Sequence, residues 1–165
     1  MDMNINGITL RNIEQKDNKE IACLIRKVFV EFRIDKPGTV YFDPTTDDLY
    51  GLFREKGSVY WIAEEGGQMT GGCGIYPTRG LPEGCAELVK FYLLSQWRGR
   101  GIGRMLMEKC FESARQFGYR QLYLESLPEL EKAVSMYLKS GFNHIPHPLG
   151  NSGHFGCNIW MVKNL

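Results

Sequence analysis

The sequence lacks any apolar run approaching the ~18 residues of a membrane span, so no membrane partner is expected. Its opening stretch, Met1-Asp2-Met3-Asn4-Ile5-Asn6-Gly7, has neither a basic segment nor an apolar core, and no signal peptide is expected. No sign of charge dominates: 20 basic against 19 acidic residues leave a net +1, which argues against a nucleic-acid binder needing a basic surface. The five cysteines (Cys23, Cys73, Cys85, Cys110, Cys157) are odd in number and scattered, which excludes a disulfide framework and points to a reduced, cytoplasmic protein with free thiols. Repeats, low-complexity tracts and linkers are also missing, so residues 1–165 are expected to form a single domain.

What is present is enough for a sizeable core: 43% hydrophobic and 24% charged residues describe an ordinary globular chain. Gly7 to Asn12 alternates as a short strand. Asp17 and Glu20 have the spacing of a capping box for a helix over 18–32, where Ile21, Leu24, Ile25, Val28, Phe29 and Phe32 recur with helical period. Lys36-Pro37-Gly38 breaks it, and residues 35–44 form a surface loop. Thr46 caps a short second helix beginning at Asp47-Asp48. Strands follow over 58–63, 68–76 and 85–93, the first two joined by the hairpin signal Gly66-Gly67, with three glycines weakening the second. A helix over 101–117 buries Ile102, Met105, Leu106, Cys110, Ser113, Ala114 and Phe117, with Gly118 as its C-cap. A strand over 121–125, a helix over 130–139 ended by Gly141, and a last strand near 158–162 complete the chain. The fold class is therefore α+β (mixed α/β). A mostly antiparallel twisted sheet of six to seven strands is flanked by about four helices, with one parallel crossover.

That crossover is centred on Arg98-Gly99-Arg100-Gly101-Ile102-Gly103-Arg104, between an apolar strand and an amphipathic helix. Glycines let backbone N–H groups converge, and the helix adds unpaired N–H groups and the positive end of its dipole, the makings of a phosphate or pyrophosphate site. A tight turn serving packing alone is the competing reading. The glycines do not match the Rossmann spacing G-x-G-x-x-G, and no Walker pattern occurs. The pattern is Arg98-x-x-Gly101-x-Gly103.

Strand–R-G-R-G-I-G–helix resembles the acyl-CoA-binding signature of the GNAT N-acetyltransferase superfamily. The segment Ala133 to Phe142 is similar to that family's A-x-x-x-Y-x-x-x-G-F helix ending, and the order of elements agrees over nearly the whole chain. The resemblance implies acetyl-CoA as co-substrate, with its pyrophosphate on the amides of Arg98, Gly99, Arg100, Gly101, Ile102, Gly103 and Arg104. The three arginines would add charge. Phe91, Tyr92 and Leu93 would pair with the pantetheine arm, in a gap where neighbouring strands splay; an ordinary fully paired strand is the alternative. The same resemblance places Tyr137 near the thioester sulfur, as donor to the departing thiolate. The competing reading is a core tyrosine beside Val134 and Leu138.

An amine must lose its proton before it attacks a thioester, and a carboxylate can take that proton. Glu87, set in the apolar run A-E-L-V-K-F-Y-L, is the candidate base, and many family members place a glutamate on this strand. It could instead be an exposed acid or a partner for Lys90, and Glu125 is the rival base. The chain departs from the family at Leu130, where an asparagine often touches the CoA arm; Ser126, Glu129, Glu131 or a backbone group would have to substitute.

The three histidines fall within eleven residues, and His144, His147, His154 and Cys157 have ligand types that suit zinc. A loop at the acceptor pocket is the preferred reading for this segment, with Glu125, Asn151 and His154 as acceptor contacts and no metal. Glu31, Arg33, Asp35 and Tyr41 are further acceptor candidates. Cys85 and Cys110 read as buried structural thiols. The expected function is transfer of an acetyl group from acetyl-CoA to the primary amine of a small or amino-acid-like acceptor, by direct attack in a ternary complex. Acetylation of a protein amine, or a non-catalytic acyl-CoA sensor, are the alternatives; a homodimer is compatible with the sequence.

Overall fold

A computed structural model describes residues 3–165; Met1 and Asp2, the start of the stretch read above for a signal peptide, lie outside the described residues. Strands β1 (Met3–Ile5), β2 (Ile8–Asn12), β3 (Val59–Glu65), β4 (Gln68–Tyr76), β5 (Cys85–Leu93), β6 (Gln121–Ser126), β7 (Asn143–Ile145) and β8 (Ile159–Asn164) form one sheet in the order β1-β2-β3-β4-β5-β6-β8-β7. All neighbours are antiparallel except β5 and β6. Helices α1 (Asn18–Glu31), α2 (Leu49–Leu52), α3 (Ile102–Gln116) and α4 (Glu131–Lys139) flank it. The mixed fold and the single parallel crossover match the sequence reading. β1 is an added strand, hairpinned onto β2 through Asn6-Gly7, both at positive φ.

Period-two alternation gives each strand two faces, and each face has its own core. Leu10, Trp61, Ala63, Ala86 and Leu88 pack with α3 and with Tyr137 of α4. Tyr60, Ile62 and Met69 pack with Ile21, Leu24, Ile25, Val28 and Phe29 of α1. On α3 the buried stripe takes in Met107 and Phe111 rather than Phe117, which is 47% exposed. Phe117 is the C-cap residue, one step past the last helical turn, and its ring rests edge-on against Tyr119 instead.

Two expected caps are corrected. Asp17 does not cap α1 with its side chain, because Arg11 holds both carboxylate oxygens (2.7 and 2.8 Å) and the Glu14 N–H donates to it as well. The capping box runs from Glu14 to Asp17, one short 3-10 turn earlier. Thr46 is buried, its hydroxyl donating to the Val40 carbonyl at 2.7 Å. Asp48 caps α2 by accepting from the Gly51 N–H at 3.0 Å, and Asp43 accepts from the Thr45 N–H.

The glycines of β4 serve a close approach. A Cβ on Gly72 would lie 2.5 Å from the Tyr60 ring, and one on Gly74 2.7 Å from it. The bare strand lets Tyr60 of β3 lie across β4 and donate its hydroxyl to the Lys90 carbonyl of β5 at 2.8 Å. At that point β5 carries one extra residue, since Gly72 pairs with Tyr92 but Gly74 with Val89. This is a β-bulge, and Lys90 occupies it at φ 51.

Candidate active site

β5 leads through the short turn Ser95–Trp97 into residues 98–101 and then α3. Gly99 (φ 74) and Gly101 (φ 83) take left-handed conformations that a side chain would resist. Gly101 is the N-cap of α3 and has no side chain to satisfy the N–H groups of the first turn. Gly103 serves packing: a Cβ there would sit 3.1 Å from Phe91 and 3.2 Å from Leu93. The arginines divide their work. Arg98 donates to the Leu93 carbonyl (2.8 Å) and to both Glu31 oxygens, and stacks on Phe32, so it braces the turn. Arg100 pairs with Glu65 at 2.6 Å and lies over Trp97. Arg104 is exposed, with no ion-pair partner among the described residues.

The parallel pairing of β5 with β6 runs Cys85↔Gln121, Ala86↔Leu122, Glu87↔Tyr123 and goes no further, although both strands continue. Beyond Glu87 the two strands part, and a cavity opens between them. Glu87, Lys90, Phe91, Tyr92, Ser126, Leu130 and Tyr137 line it. Tyr137 packs on Phe91 and Phe142, with centroids 6.0 and 5.8 Å apart. Burial holds its phenol protonated well above the ordinary range. Glu87 is 3% exposed and accepts from the Thr78 hydroxyl at 2.7 Å. Burial pushes its carboxyl up to about 7; the Thr78 hydrogen bond opposes this and the nearby Glu125 charge adds to it. No ion pair joins Glu87 to Lys90.

A second cavity meets the first at Glu87, Lys90 and His154, and is walled by Asp43, Thr78, Arg79, Asn151 and Ser152. Asn151 is held by its N–H on the Arg79 carbonyl (2.7 Å), and His154 Nε2 lies 2.7 Å from Asp43 Oδ2. Glu125 accepts from the Tyr123 hydroxyl at 2.7 Å and from Ser152. The residues expected at the acceptor pocket, Glu125, Asn151 and His154, thus border the same space as Glu87. The other acceptor candidates do not: Glu31 is bound to Arg98, and Asp43 and Val40 form the wall where Arg33, Asp35 and Tyr41 were expected. Near Leu130, Ser126 lines the cavity, while Glu129 and Glu131 are exposed.

The histidine-cysteine segment does not gather. His144 and His147 are exposed and His154 is taken by Asp43; among the described residues no group of three or more such side chains could hold a metal ion. All five cysteines are free thiols. Burial pushes Cys85 up to about 11 and Cys157, in the cavity wall, up to about 12, so neither is an activated nucleophile. No helix among the described residues is long and apolar enough to cross a membrane.

Residues 25–142 match the model of the acetyltransferase (GNAT) family. The uncharacterized N-acetyltransferase YjgM of Escherichia coli K12 is 37% identical over 94% of both chains. The chain belongs to the GNAT acetyltransferase family. Among solved structures, a GNAT acetyltransferase of Staphylococcus aureus Mu50 superposes with a TM-score of 0.83 at 19% identity, covering 96% of this chain and 99% of that one. The PaiA N-acetyltransferase of Thermoplasma acidophilum, in complex with coenzyme A, superposes with a TM-score of 0.75 at 16% identity, over 99% and 100% of the two chains.

A GNAT acetyltransferase transfers an acyl group from an acyl-CoA to an amine. The joint and the parted strands fit such a co-substrate. The glycine backbone at 99 and 101 leaves room, the first turn of α3 is uncapped, and the buried Trp97 Nε1 has no hydrogen-bond partner among the described residues. Three residues of the cavity walls carry no local mark of a site: Asp43 lies in a loop, Thr78 in a turn, and Lys90 in a strand, where its one expected part is as a partner for Glu87. Only the tertiary fold brings them to Glu87.

Proposed function

We propose that the protein moves an acetyl group from acetyl-CoA to the primary amine of a small, amino-acid-like acceptor, by direct attack in a ternary complex. Glu87 is the base. A carboxyl poised near 7 is ionised enough at neutral pH to take a proton and basic enough to hold it. It removes the amine proton, directly or through one water, as the N–C bond forms. Tyr137 donates its hydroxyl to the sulfur as the C–S bond breaks and so stabilises the thiolate; a proton that passes to the sulfur is replaced from solvent as CoA leaves, and Glu87 returns its proton to solvent. The burial of Tyr137 suits this role, since a phenol held protonated is a donor throughout the neutral range. Phe91, Tyr92 and Leu93 offer the unpaired side of β5 to the pantetheine amides, and residues 98–104 offer their amides to the pyrophosphate, with the exposed Arg104 adding charge. Glu125, with two donors already on it, helps raise Glu87 instead of acting as the base. The free thiols fit a reducing compartment such as the cytoplasm.

The observation that carries this reading is the placing of a buried, near-neutral carboxyl at the point where β5 and β6 part. Thiol release from acetyl-CoA, screened over amino acids, polyamines, aminoglycosides and lysine peptides, tests it. Saturable CoA release with a small amine is expected; release with peptides only would overturn the acceptor class, and release with none would overturn transfer.

A further inference from the structure

The bulge on β5 decides which face of the sheet receives a lysine. Ala86 and Leu88 face the α3 core, and strict alternation would put residue 90 there too. The extra residue moves Lys90 to the other face, so that Val89 and Tyr92 pack with the α1 core while Phe91 and Leu93 return to the α3 side. The device has a cost, since a side-chain-bearing residue at φ 51 inside a strand is disfavoured. Gly72, Gly74 and the Tyr60 hydroxyl maintain it. The result is a buried lysine that lines both cavities.

The charged groups around that space are unevenly partnered. Each acidic side chain in the walls already has a donor: Glu87 has Thr78, Asp43 has His154 and Thr45, and Glu125 has Tyr123 and Ser152. Apart from His154, the basic groups do not: the Lys90 ammonium has no hydrogen-bond or ion-pair partner among the described residues, and neither does the Arg79 guanidinium at the rim. The Lys90 ammonium touches no counter-ion directly, since the nearby Asp43 and Glu87 are bound to other donors, and an anion entering the cavity would pair with it. We propose that Lys90 is the binding site for a carboxylate on the acceptor, so that the enzyme selects primary amines that also carry a carboxylate, the amino-acid class. Glu87 and Lys90 stand three residues apart on one strand, unpaired with each other, and the acceptor bridges them: its amine toward Glu87, its carboxylate toward Lys90. Burial pulls the Lys90 ammonium toward deprotonation, while Asp43 and Glu87 oppose this; the acceptor carboxylate acts in their direction.

The inference rests on the proposed transfer reaction for its direction but has its own readout. L-amino acids are assayed against their carboxamides and their decarboxylated amines, by thiol release with acetyl-CoA. The carboxylate-bearing member of each set is expected to lead by about ten- to hundred-fold in kcat/KM, mainly through KM, the loss typical for a charge-assisted hydrogen bond. In Lys90→Met that ratio should fall to about one. Lys90→Gly, which meets the left-handed backbone without strain, is the second variant should Lys90→Met fail to fold. Equal use of all three compounds by the unaltered enzyme, or a preference that survives both variants, overturns the proposal. If no amine is turned over, the transfer reading fails by itself. Calorimetric titration of the same compounds into the CoA-saturated protein then decides: carboxylate-dependent binding lost in the Lys90 variants supports the site, and carboxylate-independent or absent binding overturns it.

Discussion

The two ends of the cleft are built in opposite ways. The joint at residues 98–104 is one contiguous stretch that works through backbone: two left-handed glycines, an uncapped helix start, and side chains that mostly brace the turn from behind. The end proposed to receive the acceptor is assembled from side chains of the loop at 43–45, the turn at 78–79, β5, β6 and the loop at 151–157. A backbone site tolerates changes of side chain and fails on changes of conformation. A side-chain site does the reverse, because its function lies in the ionisation and reach of particular groups. Mutations at the two ends should therefore separate into effects on cofactor KM and effects on turnover.

The largest effect is expected at the acceptor end. Glu87→Gln keeps the shape and can still accept from Thr78, but cannot take a proton. kcat should fall by about 10²–10³, with KM for acetyl-CoA little changed. The pH profile carries the sharper test. As the proposed base, Glu87 acts when deprotonated, so the rate of the unaltered enzyme should rise with pH through about 7, and activity should be lost as pH falls below it. The variant should lack that limb. A limb that persists in Glu87→Gln would move the base elsewhere. Tyr137→Phe comes next, with kcat reduced by roughly 10² and the aromatic contacts to Phe91 and Phe142 kept. Unchanged turnover would make Tyr137 a core residue only.

The contrast also explains what the sequence could disclose. β4 and β5 have the expected limits, because period-two alternation and turn glycines are local signals. The backbone of the joint was legible for the same reason: its three glycines fall within five residues, and Gly99 and Gly101 take the left-handed turn. Glu87 stood out because an acid in an apolar run is a local anomaly. The bulge at Lys90 carries no such mark. A lysine is a poor indicator of left-handed backbone, and the feature is enforced by Tyr60, some thirty residues earlier, lying across Gly72 and Gly74. Those glycines looked like a weakness of the strand when they are the space that the tyrosine needs. Asp17 failed as a helix cap in a similar way, because Arg11 and its second partner Glu64 come from β2 and β3 and outcompete the local role. Pairings that join distant strands are decided after local patterns have been spent.

At the joint the effects should be smaller and of the other kind. Gly101→Ala puts a Cβ on a residue at φ 83, where there is open space around it, so the cost is conformational and not steric. Left-handed backbone costs about 1–2 kcal/mol for a residue with a side chain. If the turn relaxes to avoid that cost, the amides lose their common aim. KM for acetyl-CoA should rise roughly 5- to 30-fold with kcat retained, by steady-state kinetics. A fall in kcat with unchanged KM would mean that the joint has a part in the chemistry, and the division between the two ends would fail.

The smallest and most discriminating comparison lies among the arginines of the joint. Arg98 is tied to Leu93, Glu31 and Phe32, so Arg98→Ala should lower the melting temperature and disturb the joint only through its packing. Arg104 is exposed and without an ion-pair partner, so Arg104→Ala should leave the melting temperature where it is. Its charge lies on the first turn of α3, next to the amides proposed to hold the pyrophosphate. Removing an exposed charge is worth about 0.2–1 kcal/mol, so KM for acetyl-CoA should rise by about 1.4- to five-fold. That rise should shrink as salt is added, because exposed charges are screened within about 10 Å at 0.1 M ionic strength. Stability and cofactor affinity would then be carried by different arginines of the same seven-residue stretch. A salt-independent change at Arg104, or a salt-sensitive change in cofactor KM at Arg98 without loss of stability, would reverse that assignment and make Arg98 the phosphate ligand.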